Sequence, residues 1–206
     1  MKVILLNGSP HEKGCTYTAL YETELILKEN GAQTEIAQLP EGPIQGCIGC
    51  YSCRATARCV YEDGVNALGD KVAEADGLIV GSPVYYGGIA GSLKAALDRL
   101  FFSNSSRFAG KPAAAVVCAR RGGLVTAFED INRYFGISHM PVVTSQYWNQ
   151  VHASIPQEVE KDEEGMQTLR TLARNMIWLI RCIQLGKEQR IPFPEHEKRL
   201  RTNFIR

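Results

Sequence analysis

Four of the seven cysteines, Cys47, Cys50, Cys53 and Cys59, follow one another as C-x2-C-x2-C-x5-C. Thiolates are soft ligands, and this spacing suits a cubane iron-sulfur cluster in which each of four irons takes one cysteine. Gly46 and Gly49 ease the tight turns such a wrap requires. Two other readings stand beside it. A tetrahedral zinc site would use the same thiols, although three ligands only two residues apart crowd a single ion. Reduced loop thiols holding no metal are the other. Cys118 and Cys182, isolated in an apolar strand and helix, read as core residues and not as ligands.

A second chemistry is written around glycines. GSPHEKGCTYT, residues 8 to 18, follows an apolar run and opens a helical pattern. Its backbone N–H groups and the helix dipole would point at an anion, with Ser9, Thr16 and Thr18 adding hydroxyl donors. It reads either as a phosphate cradle or as a Gly/Ser-rich strand-to-helix turn with a threonine N-cap. Neither G-x-G-x-x-G nor G-x-x-x-x-G-K-[ST] is present, since Gly8 and Gly14 are wrongly spaced and Cys15 stands where a lysine is needed. SPVYYGG, residues 82 to 88, sets two tyrosines beside two glycines. A flat aromatic ligand could lie there, or the tyrosines could cap the sheet. Arg120 and Arg121 beside Gly122 and Gly123 could face an anionic ligand such as a pyrophosphate, or form a solvated pair. His139 and His152, near a fifth strand, read as structural. Nothing resembles a Ser-His-Asp arrangement.

These motifs need strand ends to carry them. Short apolar runs at residues 2 to 7, 34 to 39, 77 to 80, 111 to 120 and 141 to 144 predict five strands. Helical spacing occupies residues 16 to 30, 65 to 75, 89 to 102, 124 to 135 and 166 to 185. In the third of these, Ile89, Leu93, Ala96, Leu97 and Leu100 form the buried face and Lys94, Asp98 and Arg99 the polar one. Residues 40 to 62 form a long cysteine-rich loop, and residues 186 to 206 a charged C-terminal tail. Alternation without internal repeat predicts a single α/β domain over residues 1 to 206, a five-stranded parallel sheet with helices on both faces. Ligands in such sheets lie outside the carboxyl ends of the strands, where strand order reverses. The loops at 8 to 18, 82 to 88 and 119 to 124 should meet there.

Composition narrows the partners. Twenty-three basic against 22 acidic residues leave a net charge of +1, too little to hold a nucleic acid or an anionic membrane. No apolar run reaches the roughly 20 residues that span a bilayer, and MKVILLNGSP is too short for a signal peptide, so a cytoplasmic protein with a small-molecule partner is expected.

GSPHEKGCTYTAL, CIGCYSCRATARCVYEDG and SPVYYGGIAGSLKAALDR, in that order, resemble the flavodoxin-like NAD(P)H-dependent FMN reductase family, in particular its branch that includes the iron-sulfur flavoproteins. The resemblance implies a three-layer flavodoxin-like sandwich. It implies that Ser9, His11, Gly14, Cys15, Thr16 and Thr18 hold the FMN phosphate. Pro83, Val84, Tyr85, Tyr86 and Gly87 would border the isoalloxazine, with Arg120, Gly122 and Gly123 closing its other side. The implied activity is hydride transfer from NADH or NADPH to FMN, and then electron transfer to a quinone, flavin, azo or nitro compound or similar acceptor. The alternative is an iron-sulfur flavoprotein fed by ferredoxin, with Cys47, Cys50, Cys53 and Cys59 holding a [4Fe-4S] cluster beside the flavin edge. A non-catalytic electron carrier or FMN-binding module is the reading from another class. Family likeness also implies a homodimer or homotetramer.

Overall fold

The computed structural model describes residues 1–206 apart from His196, Arg199, Arg201, Asn203, Ile205 and Arg206, so part of the expected charged tail lies outside the described residues. Among the described residues six strands run in chain order: β1 (Lys2–Asn7), β2 (Gln33–Gln38), β3 (Gly77–Tyr85), β4 (Gly88–Ile89), β5 (Ala113–Ala119) and β6 (Gln150–His152). The helices of the described residues are α1 (Cys15–Glu29), α2 (Cys53–Thr56), α3 (Val65–Glu74), α4 (Gly91–Phe108), α5 (Leu124–Ile137), α6 (Pro156–Val159) and α7 (Glu163–Glu188).

The sheet order is β2-β1-β3-β5-β6, with all four pairings parallel; β4 is a two-residue addition that folds back antiparallel on the end of β3. This is the flavodoxin-like order, and its reversal lies between β1 and β3. Side-chain alternation sorts each strand between two cores. Ile4, Leu6, Leu78, Val80, Ala115 and Val117 pack under α3, α4 and α5. Val3, Leu5, Ile79, Ala114, Val116 and Cys118 pack under α1 and α7. Burial on both faces is why these strands read as unbroken apolar runs.

Two expectations need correction. The fifth strand is Gln150–His152, not residues 141 to 144. Residues 141 to 143 do meet β5, through Ala113 N–H to Pro141 O (2.9 Å) and Val143 N–H to Ala113 O (2.8 Å), but the pairing then breaks. The Asn149 amide donates to Ala115 O (3.0 Å) where a strand N–H would have done so, and its oxygen accepts from Ser145 Oγ (2.7 Å). A polar bulge thus separates the first contact from the strand proper. Cys182 is exposed on α7, two residues past the buried Ile180, and Cys118 alone is a core cysteine.

The strand ends at the reversal meet with almost no clearance. Gly8 N–H donates to Gly81 O at 2.8 Å. A Cβ at Gly8 would come within 2.4 Å of Leu93 Cδ2 and 2.6 Å of Gly81 O. Because one of these is backbone, repacking cannot relieve it, and Gly8→Ala should cost about 1–3 kcal/mol. Gly46→Ala, with nothing within 4 Å of the new methyl, should be near neutral. Urea unfolding of both variants checks this.

Candidate functional site

The loop after β1 is braced from below by Asn7, which is fully buried. Its amide donates to Gln38 Oε1 (2.6 Å) and Glu12 O (3.3 Å), and its oxygen accepts the Ser9 N–H (3.2 Å). Gln38 in turn donates to Ser9 O (2.7 Å), and Ser9 Oγ accepts the His11 N–H (3.1 Å). Ser9 is itself buried. Gly14 is the N-cap of α1 and brings no side-chain cap, so the first-turn N–H groups of a 15-residue helix face the loop. Thr16 is buried there, whereas Thr18 Oγ1 turns back to Gly14 O (3.3 Å). Thr18 thereby braces the turn. His11 is exposed and Cys15 half-buried. A groove of about 570 Å³ runs over residues 10 to 15 and is closed by Ser154 and Pro156.

Cys15 and Cys118 lie against each other beneath this loop. Burial, reinforced by Cys15, pushes the Cys118 thiol up to about 12, and burial also raises Cys15. Both stay protonated at neutral pH. Beyond Ser154 a second groove of about 430 Å³ is lined by Arg120, His152 and Lys161. His152 Nδ1 sits 3.5 Å from Asp162, which also accepts the His152 backbone N–H (2.7 Å).

The other two loops meet as expected. β3 runs on through Pro83, Val84 and Tyr85 to a turn at Tyr86 and Gly87, both at positive φ (52° and 76°). Ser82 Oγ accepts the Ala90 N–H (3.1 Å), tying this hairpin to the start of α4. Gly123 lies so close that a Cβ on it would be 2.8 Å from Gly87 Cα and 3.0 Å from Val84 Cγ1. Tyr85 and Tyr86 stand in solvent, as do Arg120, Arg121 and Gly122. The tyrosines do not cap the sheet.

All four clustered cysteines line one small cavity of about 20 Å³, together with Tyr61, Arg99 and Phe102. Between Cys47 and Cys59 the chain contains the single turn α2 and three positive-φ residues, Gly49, Tyr51 and Ala57. Gly49 is thus used as expected, and Gly46 is not. Cys53 is raised by burial and by the neighbouring thiols, whereas Ser52 draws Cys50 down through hydrogen bonds. Among the described residues no three His, Cys, Asp or Glu side chains are drawn tightly enough to hold one metal ion. A tetrahedral zinc would require sulfurs about 3.8 Å apart. Four soft thiol donors on one opening are the donor chemistry that an iron-sulfur group would need.

Cys59, the distant member, is held by two residues that the sequence reading missed. Asn66, buried at the start of α3, accepts the Cys59 N–H (2.8 Å) and donates to Cys59 O (2.9 Å). Arg99, assigned to the polar face of its helix, is instead 1% exposed. Its Nε–H donates to Cys59 Sγ (3.1 Å), and its two terminal nitrogens clasp Asp63 at 2.5 and 2.7 Å. The helical period puts Arg99 off the apolar face, at its flank, and the cysteine loop folds over it there.

The sequence profile of the family described as NADPH-dependent FMN reductase matches residues 1–154. The chain belongs to that family. An iron-sulfur flavoprotein of Methanocaldococcus jannaschii is 33% identical over 194 residues, 89% of this chain and all of that one. One from Methanosarcina thermophila is 30% identical, covering 92% of this chain and all of its own length. A flavodoxin from the domain Archaea superposes with a TM-score of 0.59 at 15% identity, over 88% of this chain and 99% of that one, which supports the fold alone. The groove over residues 10 to 15 is also lined by Ser154 and Pro156, which the sequence reading did not anticipate. The absence of any sustained pattern around residues 153 to 156 left no signal for them. Among the described residues no helix is long and apolar enough to cross a membrane.

The Arg99 guanidinium beside Asp63 holds that carboxyl below its ordinary value. The stability this contributes is full above the usual carboxylate range and is lost as pH falls through the depressed folded value. In an NMR titration from about pH 7 to about pH 3, the protected Arg99 Nε–H resonance should persist through the usual carboxylate range and vanish only below it. In Asp63→Asn that acid step should be missing.

Proposed function

We propose that the protein is an iron-sulfur flavoprotein, in which single electrons enter at Cys47, Cys50, Cys53 and Cys59 and reach FMN at the ends of β1, β3 and β5. The observation that carries this is the convergence of all four thiols on one cavity, with Cys59 held on both its backbone and its sulfur. The relatives' names point the same way. Reduced ferredoxin is the proposed donor and a small molecule the proposed acceptor; a cytoplasmic homodimer or homotetramer belongs to the same proposal.

Bound FMN would supply the one- and two-electron chemistry, and the protein its position and electrostatics. The α1 N-terminus and the Ser9 and Thr16 hydroxyls suit a dianionic phosphate, and this one nest with no provision for an adenosine favours FMN over FAD. The hairpin at 83 to 87 and Gly123 present backbone and tyrosine faces to a flat ring. No side chain is required as acid or base at the ring. A two-electron NAD(P)H reductase is the second reading, favoured by the description of the family itself; its donor would have to approach the exposed edge at Tyr86 and Arg120.

Protein purified without oxygen should release FMN on heating, and FAD in its place would sink the cofactor assignment. It should carry about four iron and four acid-labile sulfide per chain, as a cubane requires. Cys50→Ser should lose both. A wild type without iron, reduced readily by NADH or NADPH, would install the second reading. Ser9→Ala and Thr16→Ala should each weaken FMN binding by about 1.5–3 kcal/mol, the scale of a hydrogen bond to a charged group. Fluorescence titration of the flavin-free chain measures this.

A further inference from the structure

We infer that Arg99 is the positioning residue of the cysteine site: it fixes Cys59 before any metal arrives and, through its Nε–H on the sulfur, raises the reduction potential of the group those cysteines hold. The second half rests on the iron-sulfur reading above; the first does not. Spacing alone cannot place Cys59. Two residues separate each of the first three cysteines from the next, but five, among them the rest of the turn α2 and the positive-φ Ala57, separate Cys53 from Cys59.

Arg99 supplies what spacing lacks. Its side chain is fully enclosed, and all five of its N–H donors are engaged. Nε–H goes to Cys59 Sγ, Nη1 to Gln45 O (3.1 Å) and Asp63 Oδ2, and Nη2 to Tyr61 O (3.2 Å) and Asp63 Oδ1. The guanidinium therefore ties together both ends of the loop, residues 45 and 59 to 63, and anchors them to α4. Tyr61 adds its ring, 5.0 Å from the guanidinium carbon. Asp63 balances the buried charge, which would otherwise be untenable. A donor on sulfur stabilises the more electron-rich state, so removing it makes the potential more negative.

Lysine would keep the charge against Asp63, but a single ammonium has no rigid fork to serve a sulfur, two carbonyls and a carboxylate together. Arg99→Lys is therefore the informative variant. Asp70→Asn, which removes a surface partner of Arg58 and Arg107 nearby, is the control. In the iron-free full chain, amide exchange across residues 45 to 63 should be about tenfold faster or more in Arg99→Lys, the loss of one hydrogen bond to a charged group, and unchanged in Asp70→Asn. Equal exchange in wild type and Arg99→Lys overturns the positioning role. In the reconstituted protein, a spectroscopic redox titration should show a more negative cluster potential in Arg99→Lys, with the flavin potential unmoved as internal reference. Equal cluster potentials at equal iron content overturn the tuning role. A wild type that takes up no iron and sulfide sinks the iron-sulfur reading and the tuning role with it, and the exchange arm then decides positioning on its own.

Discussion

The close approach of two strand ends governs the upper half of the molecule. Gly8 and Gly81 share a 2.8 Å hydrogen bond at the reversal of strand order, with Leu93 against one and Leu20 against the other. Only glycine allows the chain to leave β1 at that distance from β3. From there the exit of β1 becomes the loop under α1, and the exit of β3 becomes the Tyr85–Gly88 hairpin. Gly123, approaching the hairpin at Gly87, repeats the device between β3 and β5. Three loops without bulky residues at their contacts leave backbone N–H groups and flat faces in one place, which is what a phosphate joined to an aromatic ring system requires.

The lower half obeys a different constraint. A loop with four exposed or half-buried cysteines buries little apolar surface of its own, and hydrophobic packing cannot give it a unique shape. One buried cation does so instead. A guanidinium excluded from water has to satisfy every donor, and the groups that satisfy it are the loop's own carbonyls, carboxylate and sulfur. The cost of leaving Arg99 unpaired is thereby converted into a geometry for Cys59. Asn66 repeats the logic on the backbone from α3.

Most of the fold was legible because its periodicities are strong. Strands buried on both faces read as apolar runs, and α1, α3, α5 and α7 appeared within about three residues of their ends, whereas α4 runs on six residues beyond its expected end, to Phe108. β6 was misplaced because residues 141 to 143 carry the apolar pattern of a strand while Asn149 breaks the pairing with a side-chain bond that no periodicity announces. The site was legible where local chemistry is dense, in the glycine loops and the cysteine spacing. Arg99 was not, since its burial depends on a loop forty residues earlier in the chain closing over it. A polar helix position looks the same in sequence whether water or a loop covers it.

Helix α4 unites the two halves. Its first residue, Gly91, follows the hairpin that Ser82 ties down, and Arg99 lies eight residues on. At 1.5 Å per residue this places the cysteine anchor about 12 Å along the helix from the hairpin at the end of β3. Leu93, Ala96, Leu97 and Leu100 are fully buried between them, so the strut that spans the two sites is also a wall of the core. A helix packed on that scale is not free to slide. The separation between the loop that suits a flavin and the loop that gathers thiols is therefore set by the same side chains that hold the sheet together, and each site's position constrains the other.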